Sequence, residues 1–241
     1  MKHPMNIVAI LAGGVGSRMG TDRPKQFLPL GEGMVIEHTI DAFHQHKGID
    51  AIVLVVHRDW KDFMQQVVAK HPWQKVRAVV EGGKERYHSS LAAIDAARAL
   101  DADVRLLIHD AARPLVSQRI ISNVLSALDT HRAVAVGLPS TDTIWQVSLH
   151  DKQLPTVDCV PDRKRMYRAQ TPQAFYLPLL SEAYAHVLSM EGYQPTDDCG
   201  LVRTVFPDEP VAVVEGEASN IKITTPEDLV YAQALIKKET L

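Results

Sequence analysis

Four glycines and two cations lie close together near the start of the chain. The run Leu11-Ala12-Gly13-Gly14-Val15-Gly16-Ser17-Arg18-Met19-Gly20 follows a short apolar segment, and Lys25 follows within Pro24-Lys25-Gln26. A glycine-rich loop lets backbone N–H groups approach an anion closely. Arg18 and Lys25 could neutralise a triphosphate during attack at phosphorus. These residue types predict a phosphate-binding loop.

The loop differs from two common phosphate motifs. After Gly14-Val15-Gly16 the dinucleotide fingerprint would require a third glycine at position 19, where the chain has methionine. No Gly-Lys-Ser/Thr follows at the Walker A offset. The alternative interpretation is a tight strand-to-helix turn with solvated cations, and the continuation Pro24-Lys25-Gln26 makes that alternative weaker.

Further candidates follow other apolar runs. Asp110 could bind ribose or polyol hydroxyls or metal-bound water, or it could instead cap a helix or pair with Arg113. The planar guanidinium of Arg113 suits a phosphate. Gly82 and Gly83 would let a flat base pack against the backbone.

For two more polar residues, a role in ligand binding and an ordinary structural role are both possible. Ser89 could offer its hydroxyl to the base, or it could be an ordinary serine at a helix start. Lys222 lies between Ile221 and Ile223 on a short alternating run, which turns it to the face opposite the isoleucines. Phosphate binding and a solvated sheet-edge position are both open for Lys222 from the residues alone.

Short apolar runs, each without polar alternation, predict strands that are buried on both faces and hence a parallel sheet. The runs are Ile7–Leu11, Ala51–Val56, Val76–Val80, Val104–Ile108, Ala133–Leu138 and Val211–Val214. Helical periods fill the gaps, most clearly over Ile120–Leu128, and Thr225-Pro226-Glu227-Asp228 is a typical helix start. We therefore predict an α/β, Rossmann-like fold with a mostly parallel sheet and helices on both faces.

Residues 139–171 interrupt this alternation. The segment lacks a helical stripe, alternates loosely around Trp145 and Val147, turns near 150–152 and returns. Together with Val157 and Tyr167, these residues are too apolar for a disordered linker. We predict one domain over 1–241 with a β-arm projecting from the sheet at 139–171, and a dimer that covers the arm's apolar face.

Composition excludes several classes of protein. The chain has 241 residues, of which 46% are hydrophobic and 23% charged, and its formal net charge is -3, which disfavours a bulk electrostatic grip on nucleic acid. Two cysteines, Cys159 and Cys199, form neither a disulfide framework nor a four-ligand zinc set, and the histidines show no metal-binding spacing. We expect no membrane span and no signal peptide, and hence a cytoplasmic protein.

The glycine loop and its continuation resemble the signature of nucleotidyltransferases that join a sugar or polyol phosphate to a nucleoside triphosphate. Four further motifs resemble, in order, the cytidylyltransferases that act on 2-C-methyl-D-erythritol 4-phosphate and on D-ribitol 5-phosphate. They are Gly82-Gly83-Lys84-Glu85-Arg86, His109-Asp110-Ala111-Ala112-Arg113-Pro114, Gln170-Thr171-Pro172-Gln173-Ala174-Phe175 and Asn220-Ile221-Lys222-Ile223-Thr224-Thr225-Pro226.

The resemblance implies a role for each motif. Catalysis would fall to Arg18, Lys25 and Lys222. Nucleotide binding would involve Leu11, Ala12, Gly13, Gly14, Gly16, Gly82, Gly83, Arg86, Ser89, Asp110 and Ala111. The acceptor would be held by Asp110, Arg113, Thr143, Arg163 and Thr171, with Arg163 and Thr171 reaching into the site of a partner subunit, although the neighbouring Arg165 is an alternative to Arg163. Mg²⁺ would bridge the phosphates, with Asp110 in its outer shell.

The implied reaction transfers CMP from CTP to a polyol phosphate and releases pyrophosphate. Ala12-Gly13-Gly14, the Gly16–Gly20 continuation and Thr196-Asp197-Asp198-Cys199 favour D-ribitol 5-phosphate as the acceptor. Ala111-Ala112 and Pro226-Glu227-Asp228-Leu229 fit 2-C-methyl-D-erythritol 4-phosphate equally well, so that acceptor stays open. A nucleotide-binding regulatory domain without turnover is the alternative from another class of protein.

Overall fold

The computed structural model describes residues 3–14, 23–149, 154–188 and 195–239. Eleven strands occur within these ranges, and seven of them form one central sheet. The strands are β1 (Met5–Ala12), β2 (Pro29–Leu30), β3 (Gly33–Met34), β4 (Ala51–Val56), β5 (Val76–Glu81), β6 (Val104–Asp110), β7 (Ala133–Pro139), β8 (Gln146–Ser148), β9 (Thr156–Cys159), β10 (Tyr167–Tyr176) and β11 (Val211–Glu215).

The central sheet has the order β11-β7-β10-β6-β1-β4-β5. Its neighbours pair in parallel except at β10, which runs antiparallel to both β6 and β7. The mostly parallel sheet is confirmed, and each of the six predicted apolar runs lies in one of its strands.

Strand β10 was not predicted, because its middle is polar and contains Pro172. A proline cannot donate a ladder hydrogen bond and is confined to sheet edges or irregularities. The β10–β7 register shifts between Gln170 and Ala174, so the proline lies where the ladder is already interrupted.

Helices cover both faces of the sheet, as predicted. They are α1 (Val35–Gln45), α2 (Lys61–Ala69), α3 (Arg86–Leu100), α4 (Gln118–Ala127), α5 (Leu177–Val187), α6 (Asp198–Val205) and α7 (Pro226–Glu239). Alternate residues of β1 point to opposite sides: Val8 and Ile10 pack with α1, α2 and α4, whereas Ile7 and Ala9 pack with α3, α5 and α6. Within the described ranges, no helix has both the length and the apolar character needed to cross a bilayer.

The segment 139–171 forms a shorter projection than predicted. Strand β7 continues to Pro139 and β10 begins at Tyr167, which pairs with Pro139, so the last five residues of the predicted arm belong to the central sheet. Between these ends, β8 and β9 form an antiparallel pair, and the predicted turn at 150–152 lies outside the described residues. Trp145 is 63% exposed and Leu154 is 86% exposed on this pair of strands and its connections.

Candidate active site

A cleft of about 340 Å³ opens at the carboxyl ends of β1, β5 and β6. This edge is where open parallel sheets bind ligands. The following residues line the cleft: Leu11, Ala12, Gly13, Gly14, Lys25, Gln26, Gly83, Lys84, Glu85, Arg86, Ser89, Asp110, Ala111, Ala112, Lys222 and Thr224. The cleft therefore brings together residues from the glycine loop and from three of the four further motifs, whereas the Gln170–Phe175 motif lies on β10.

The glycine loop and Lys25 occupy one side of the cleft. Strand β1 delivers Gly13 and Gly14, and Lys25 follows on a 3-10 turn spanning Lys25–Phe27. Phe27 is fully buried and stacks on Trp60 with a centroid distance of 4.9 Å, which anchors this turn in the core. Gly16 and Arg18 lie outside the described residues.

The first turn of α3 packs closely against Gly82 and Gly83 beside the cleft. A Cβ on Gly82 would lie 2.6 Å from Oγ of Ser89, and one on Gly83 would overlap Cβ of His88. Ser89 is in the first turn of α3 and is buried, with its Oγ 3.1 Å from the position that a Cβ on Gly13 would take. The absence of side chains at Gly82 and Gly83 thus lets α3 approach the end of β5.

Asp110 lies at the centre of a group of cations. Its Oδ2 is 3.0 Å from Nζ of Lys222 and 3.3 Å from Nε of Arg113. Burial alone would raise the pKa of this carboxyl, but Lys222, Arg113 and Arg86 together outweigh it and hold that pKa well below its usual value. Asp110 is therefore ionised in the folded protein.

Lys222 reaches this position from a loop, not from the edge strand considered above. Residues 220–224 have no regular secondary structure. The N–H of Ile223 donates to the carbonyl of Ala112 at 2.8 Å, and Ile223 is buried while Lys222 is exposed. Alternation of the side chains is preserved, and it turns the ammonium group towards Asp110.

The guanidinium of Arg113 bonds to three acceptors of its own chain. Besides Asp110, it donates from Nη1 to the carbonyl of Asn220 at 2.9 Å and from Nη2 to the carbonyl of Ala169 at 3.3 Å. It thereby joins the end of β6 to β10 and to the loop of Lys222. The pairing with Asp110, raised above as the alternative, is present, and acceptor binding by Arg113 stays a prediction.

A buried histidine determines where the hydroxyl proton of Thr171 points. Burial lowers the pKa of His109 to about 4, so the ring is neutral near pH 7. Its Nε2 lies 3.1 Å from the carbonyl of Arg113, which can only accept, and therefore carries the proton. Its Nδ1 then accepts from the Thr171 hydroxyl at 2.9 Å, and Thr171 Oγ1 accepts from the N–H of Asp110 at 3.2 Å.

This arrangement corrects the expectation that Thr171 reaches into a partner subunit. Thr171 is 5% exposed and lies on β10 in the central sheet, where its hydroxyl is bonded to two residues of its own chain. Arg163 and Thr143 do lie on the projection. Both are exposed and neither lines the cleft of its own chain, and Nη1 of Arg163 donates to the carbonyl of Thr141 at 3.0 Å.

Arg86 forms an ion pair with the buried carboxylate of Asp198, a pairing that was not predicted from the sequence. Its Nη1 donates to Oδ2 of Asp198 at 2.6 Å, and the hydroxyl of Tyr184 donates to Oδ1 at 2.6 Å. Burial opposes the charge on Arg86, but Asp198 and then Asp110 outweigh it and raise the pKa of Arg86. Asp197 caps α6 by accepting from the N–H of Gly200. The acids of the Thr196–Cys199 motif therefore have structural partners, which explains why this motif says little about the acceptor.

An open, mostly parallel sheet with a glycine loop, Lys25, Lys222 and Asp110 at its carboxyl edge defines a nucleotidyltransferase. A family model described as 2-C-methyl-D-erythritol 4-phosphate cytidylyltransferase (IspD) matches residues 6–238. The chain belongs to this family and is a CTP-dependent cytidylyltransferase.

Individual relatives are similar over nearly the whole chain. A 2-C-methyl-D-erythritol 4-phosphate cytidylyltransferase from Thermobifida fusca is 42% identical over 236 residues, which cover 98% of this chain and 95% of that protein. A bifunctional ribulose 5-phosphate reductase/CDP-ribitol pyrophosphorylase from Haemophilus influenzae is 41% identical over 240 residues, covering 100% of this chain and 50% of that protein. The crystal structure of 4-diphosphocytidyl-2C-methyl-D-erythritol synthase from Anaerococcus prevotii has a TM-score of 0.83 and 34% identity, and the match covers 97% of this chain and 96% of that one.

Proposed function

We propose that this protein transfers the cytidylyl group of CTP to 2-C-methyl-D-erythritol 4-phosphate. The observation that carries the proposal is the match of that family model to residues 6–238, supported by similar proteins of that name. This acceptor replaces D-ribitol 5-phosphate, which the sequence motifs favoured, because the comparisons support it better.

In the proposed reaction an oxygen of the acceptor's phosphate attacks the α-phosphorus of CTP. The new P–O bond forms as the bond from that phosphorus to the bridging α–β oxygen breaks, and pyrophosphate leaves with the electron pair. The acceptor phosphate is already an anion, so no general base is required, and catalysis consists of positioning and charge neutralisation. Lys25 and Arg18 would hold the triphosphate, and Lys222 would support the attacked phosphorus from the opposite side of the cleft.

Asp110 keeps Lys222 in place until the substrates arrive. An ammonium group 3.0 Å from a carboxylate is held at the cleft wall, yet its side chain is still 41% exposed and can turn towards a phosphate. Asp110 also bonds to Arg113, so the carboxylate keeps a cationic partner when Lys222 engages phosphate.

Mg²⁺ fits the cleft as an ion carried mainly by the nucleotide. Mg²⁺ typically binds through substrate phosphates and one or two carboxylates. Among the described residues no group of three or more His, Cys, Asp or Glu side chains could form a protein-only site, whereas Asp110 offers a carboxylate for the outer shell. The ion would neutralise part of the triphosphate charge.

The proposal includes a homodimer. Each chain is a single domain, and residues 139–171 of one chain contact residues 139–171 of the other. The exposed apolar side chains on and around β8 and β9 support it, because a lone projection would leave them in water. Arg163 and Thr143 lie on this projection and not in the cleft of their own chain, which suits delivery to a partner's acceptor site.

D-Ribitol 5-phosphate remains a second candidate acceptor because the Haemophilus influenzae relative that names CDP-ribitol in its description is 41% identical over 100% of this chain. The deciding experiment measures pyrophosphate release from CTP with each polyol phosphate separately, at limiting concentrations, and with UTP as the competing nucleotide. We expect the highest kcat/KM with CTP and 2-C-methyl-D-erythritol 4-phosphate. A higher value with D-ribitol 5-phosphate would favour the second candidate, and equal use of UTP would contradict the cytidine preference.

A further inference from the structure

Gln26 connects the glycine loop to the turn that carries Lys25. Its side-chain Nε2 donates to the carbonyl of Ala12 at 2.7 Å and to the carbonyl of Gly14 at 3.0 Å. Gln26 is 2% exposed, and its bond to Ala12 is buried whereas its bond to Gly14 is partly buried. A single buried amide group thus bonds to the backbone on both sides of Gly13.

These two bonds determine which groups the loop presents to a ligand. In a trans peptide unit the N–H points opposite to the C=O. Because the carbonyl of Ala12 is directed at Gln26, the N–H of Gly13 in the same peptide unit is directed away from Gln26. Among the residues that the structure describes, no atom lies within 4 Å of the place that a Cβ on Gly14 would take, and both Gly13 and Gly14 line the cleft. Backbone N–H groups that face open space beside a cation form a site suited to an anion.

The same glutamine also fixes the distance between the loop and Lys25. Lys25, Gln26 and Phe27 form the 3-10 turn, and the buried ring of Phe27 anchors it from below. Phe27 anchors the backbone of the turn, and the side chain of Gln26 bonds to the loop carbonyls. The backbone of Lys25 therefore cannot shift relative to Gly13 and Gly14 without disturbing one of these contacts.

We propose that Gln26 is a positioning residue, which orients the carbonyls of Ala12 and Gly14 inward and thereby presents the N–H of Gly13 and the Lys25 ammonium together to the phosphates of CTP. This inference rests on the proposed role of the loop and Lys25 in holding the triphosphate. Gln26 is not a catalytic residue, since it acts through the loop and not on the substrate.

The test compares CTP binding by three variants with that of the wild type, using equilibrium titration with Mg²⁺ and no acceptor. Gln26→Met keeps the length of the side chain and removes the donor. Gln26→Glu keeps the shape, and only its protonated form can donate to a carbonyl. Gln118→Glu is the matched control, because Nε2 of Gln118 also donates to a backbone carbonyl, that of Ala42 at 2.7 Å, but lies outside the cleft.

We expect Gln26→Met to weaken CTP binding by about tenfold or more, since misplaced binding groups lose much of their effect, while the thermal midpoint falls by only several degrees because a buried carbonyl loses its donor. Gln26→Glu should bind poorly near pH 8 and recover relative to the wild type as the pH falls towards about 5.5, because a buried carboxyl facing two carbonyls is readily protonated. Gln118→Glu should show neither effect.

Unchanged CTP affinity in Gln26→Met would overturn the inference. If Gln26→Met does not fold, Gln26→Glu decides alone, and an affinity whose pH dependence equals that of the wild type would overturn the inference. Failure of the proposed function would be seen differently, as absent turnover or CTP binding in the wild type, whereas failure of this inference appears only in the variants.

Discussion

Lys222 and Arg113 bind the same oxygen of Asp110, at 3.0 and 3.3 Å respectively. The two cations differ in what else holds them. Arg113 also bonds to the backbone carbonyls of Asn220 and Ala169, whereas the ammonium group of Lys222 forms its ion pair with Asp110. One cation therefore has a structural role and the other can be redirected to a substrate.

Lys222→Met is expected to lower kcat by about a hundredfold or more, the usual loss when a charge-stabilising group is removed from a site of acyl or phosphoryl transfer. Folding should change little, because Asp110 keeps Arg113. Steady-state kinetics and a thermal unfolding curve give the two readouts. Lys237→Met, on the exposed surface of α7, is the control. Equal kinetics for the two variants would remove Lys222 from the mechanism.

Lys25→Ala should reduce turnover on the same scale, about a hundredfold or more, with far less effect on the free energy of unfolding. The turn that carries it is anchored by Phe27 and Gln26, neither of which changes in this variant. Pyrophosphate release measures turnover, and urea unfolding measures stability. Near-normal turnover would contradict a phosphate role, and Arg18→Ala is expected to behave in the same way.

A mixture of Arg163→Ala and Lys25→Ala subunits should recover activity that neither variant has alone. If Arg163 acts in the partner's site, each mixed dimer has one site with both defects and one with neither. Random assembly makes half of the dimers mixed, so about a quarter of wild-type activity is expected. Subunit exchange is verified with differently tagged chains. No recovery after verified exchange would mean that Arg163 does not complete a partner's site.

Stability should fall as the pH is lowered from 6.5 to about 4, partly because of His109. Burial lowers the pKa of this residue from 6.5 to about 4, so in that interval the unfolded chain binds one more proton than the folded chain does. The contribution is on the order of 3 kcal/mol when fully lost. His109→Asn should show a smaller decrease in unfolding free energy over the interval. Identical pH profiles for the two proteins would contradict a buried, neutral His109.

Asp198→Asn should destabilise the fold by about 3 kcal/mol, because it leaves the partly buried Arg86 without its closest counter-charge. Tyr184→Phe removes only a neutral donor to the same carboxylate and should cost about 1 kcal/mol. Comparing the two unfolding free energies separates the ion pair from the hydrogen bond. We also expect a raised KM for CTP in Asp198→Asn, since Arg86 lines the cleft.

The sequence predicted the sheet and the cleft well wherever a local pattern of residues was enough to identify the structure. Each of the six apolar runs lies in a strand of the central sheet, and the glycines that follow β1 and β5 lie at one edge because parallel strands end there. The prediction failed for residues whose structural role depends on partners that are distant in the sequence. Strand β10 is hidden by its polar middle, and Asp198 differs from an ordinary helix-start acid only because Arg86 and Tyr184 surround it.

Thr171 was misplaced for a related reason. Thr171 and Arg163 both fall within the arm predicted at 139–171, but the antiparallel return of β10 into the sheet separates them. The proximity of Thr171 to His109 is a long-range contact, which no local pattern contains.

Strand β10 has a mechanical consequence. It begins at Tyr167, at the base of the projection, and continues to Thr171, whose hydroxyl accepts from the N–H of Asp110. At about 3.3 Å per residue, that stretch spans roughly 13 Å. Up to Gln170 it pairs with β7, whereas its pairing with β6 begins only at Gln173. A displacement of the projection would act through these few residues on the carboxylate that restrains Lys222, so association of two projections would alter how firmly that lysine is held.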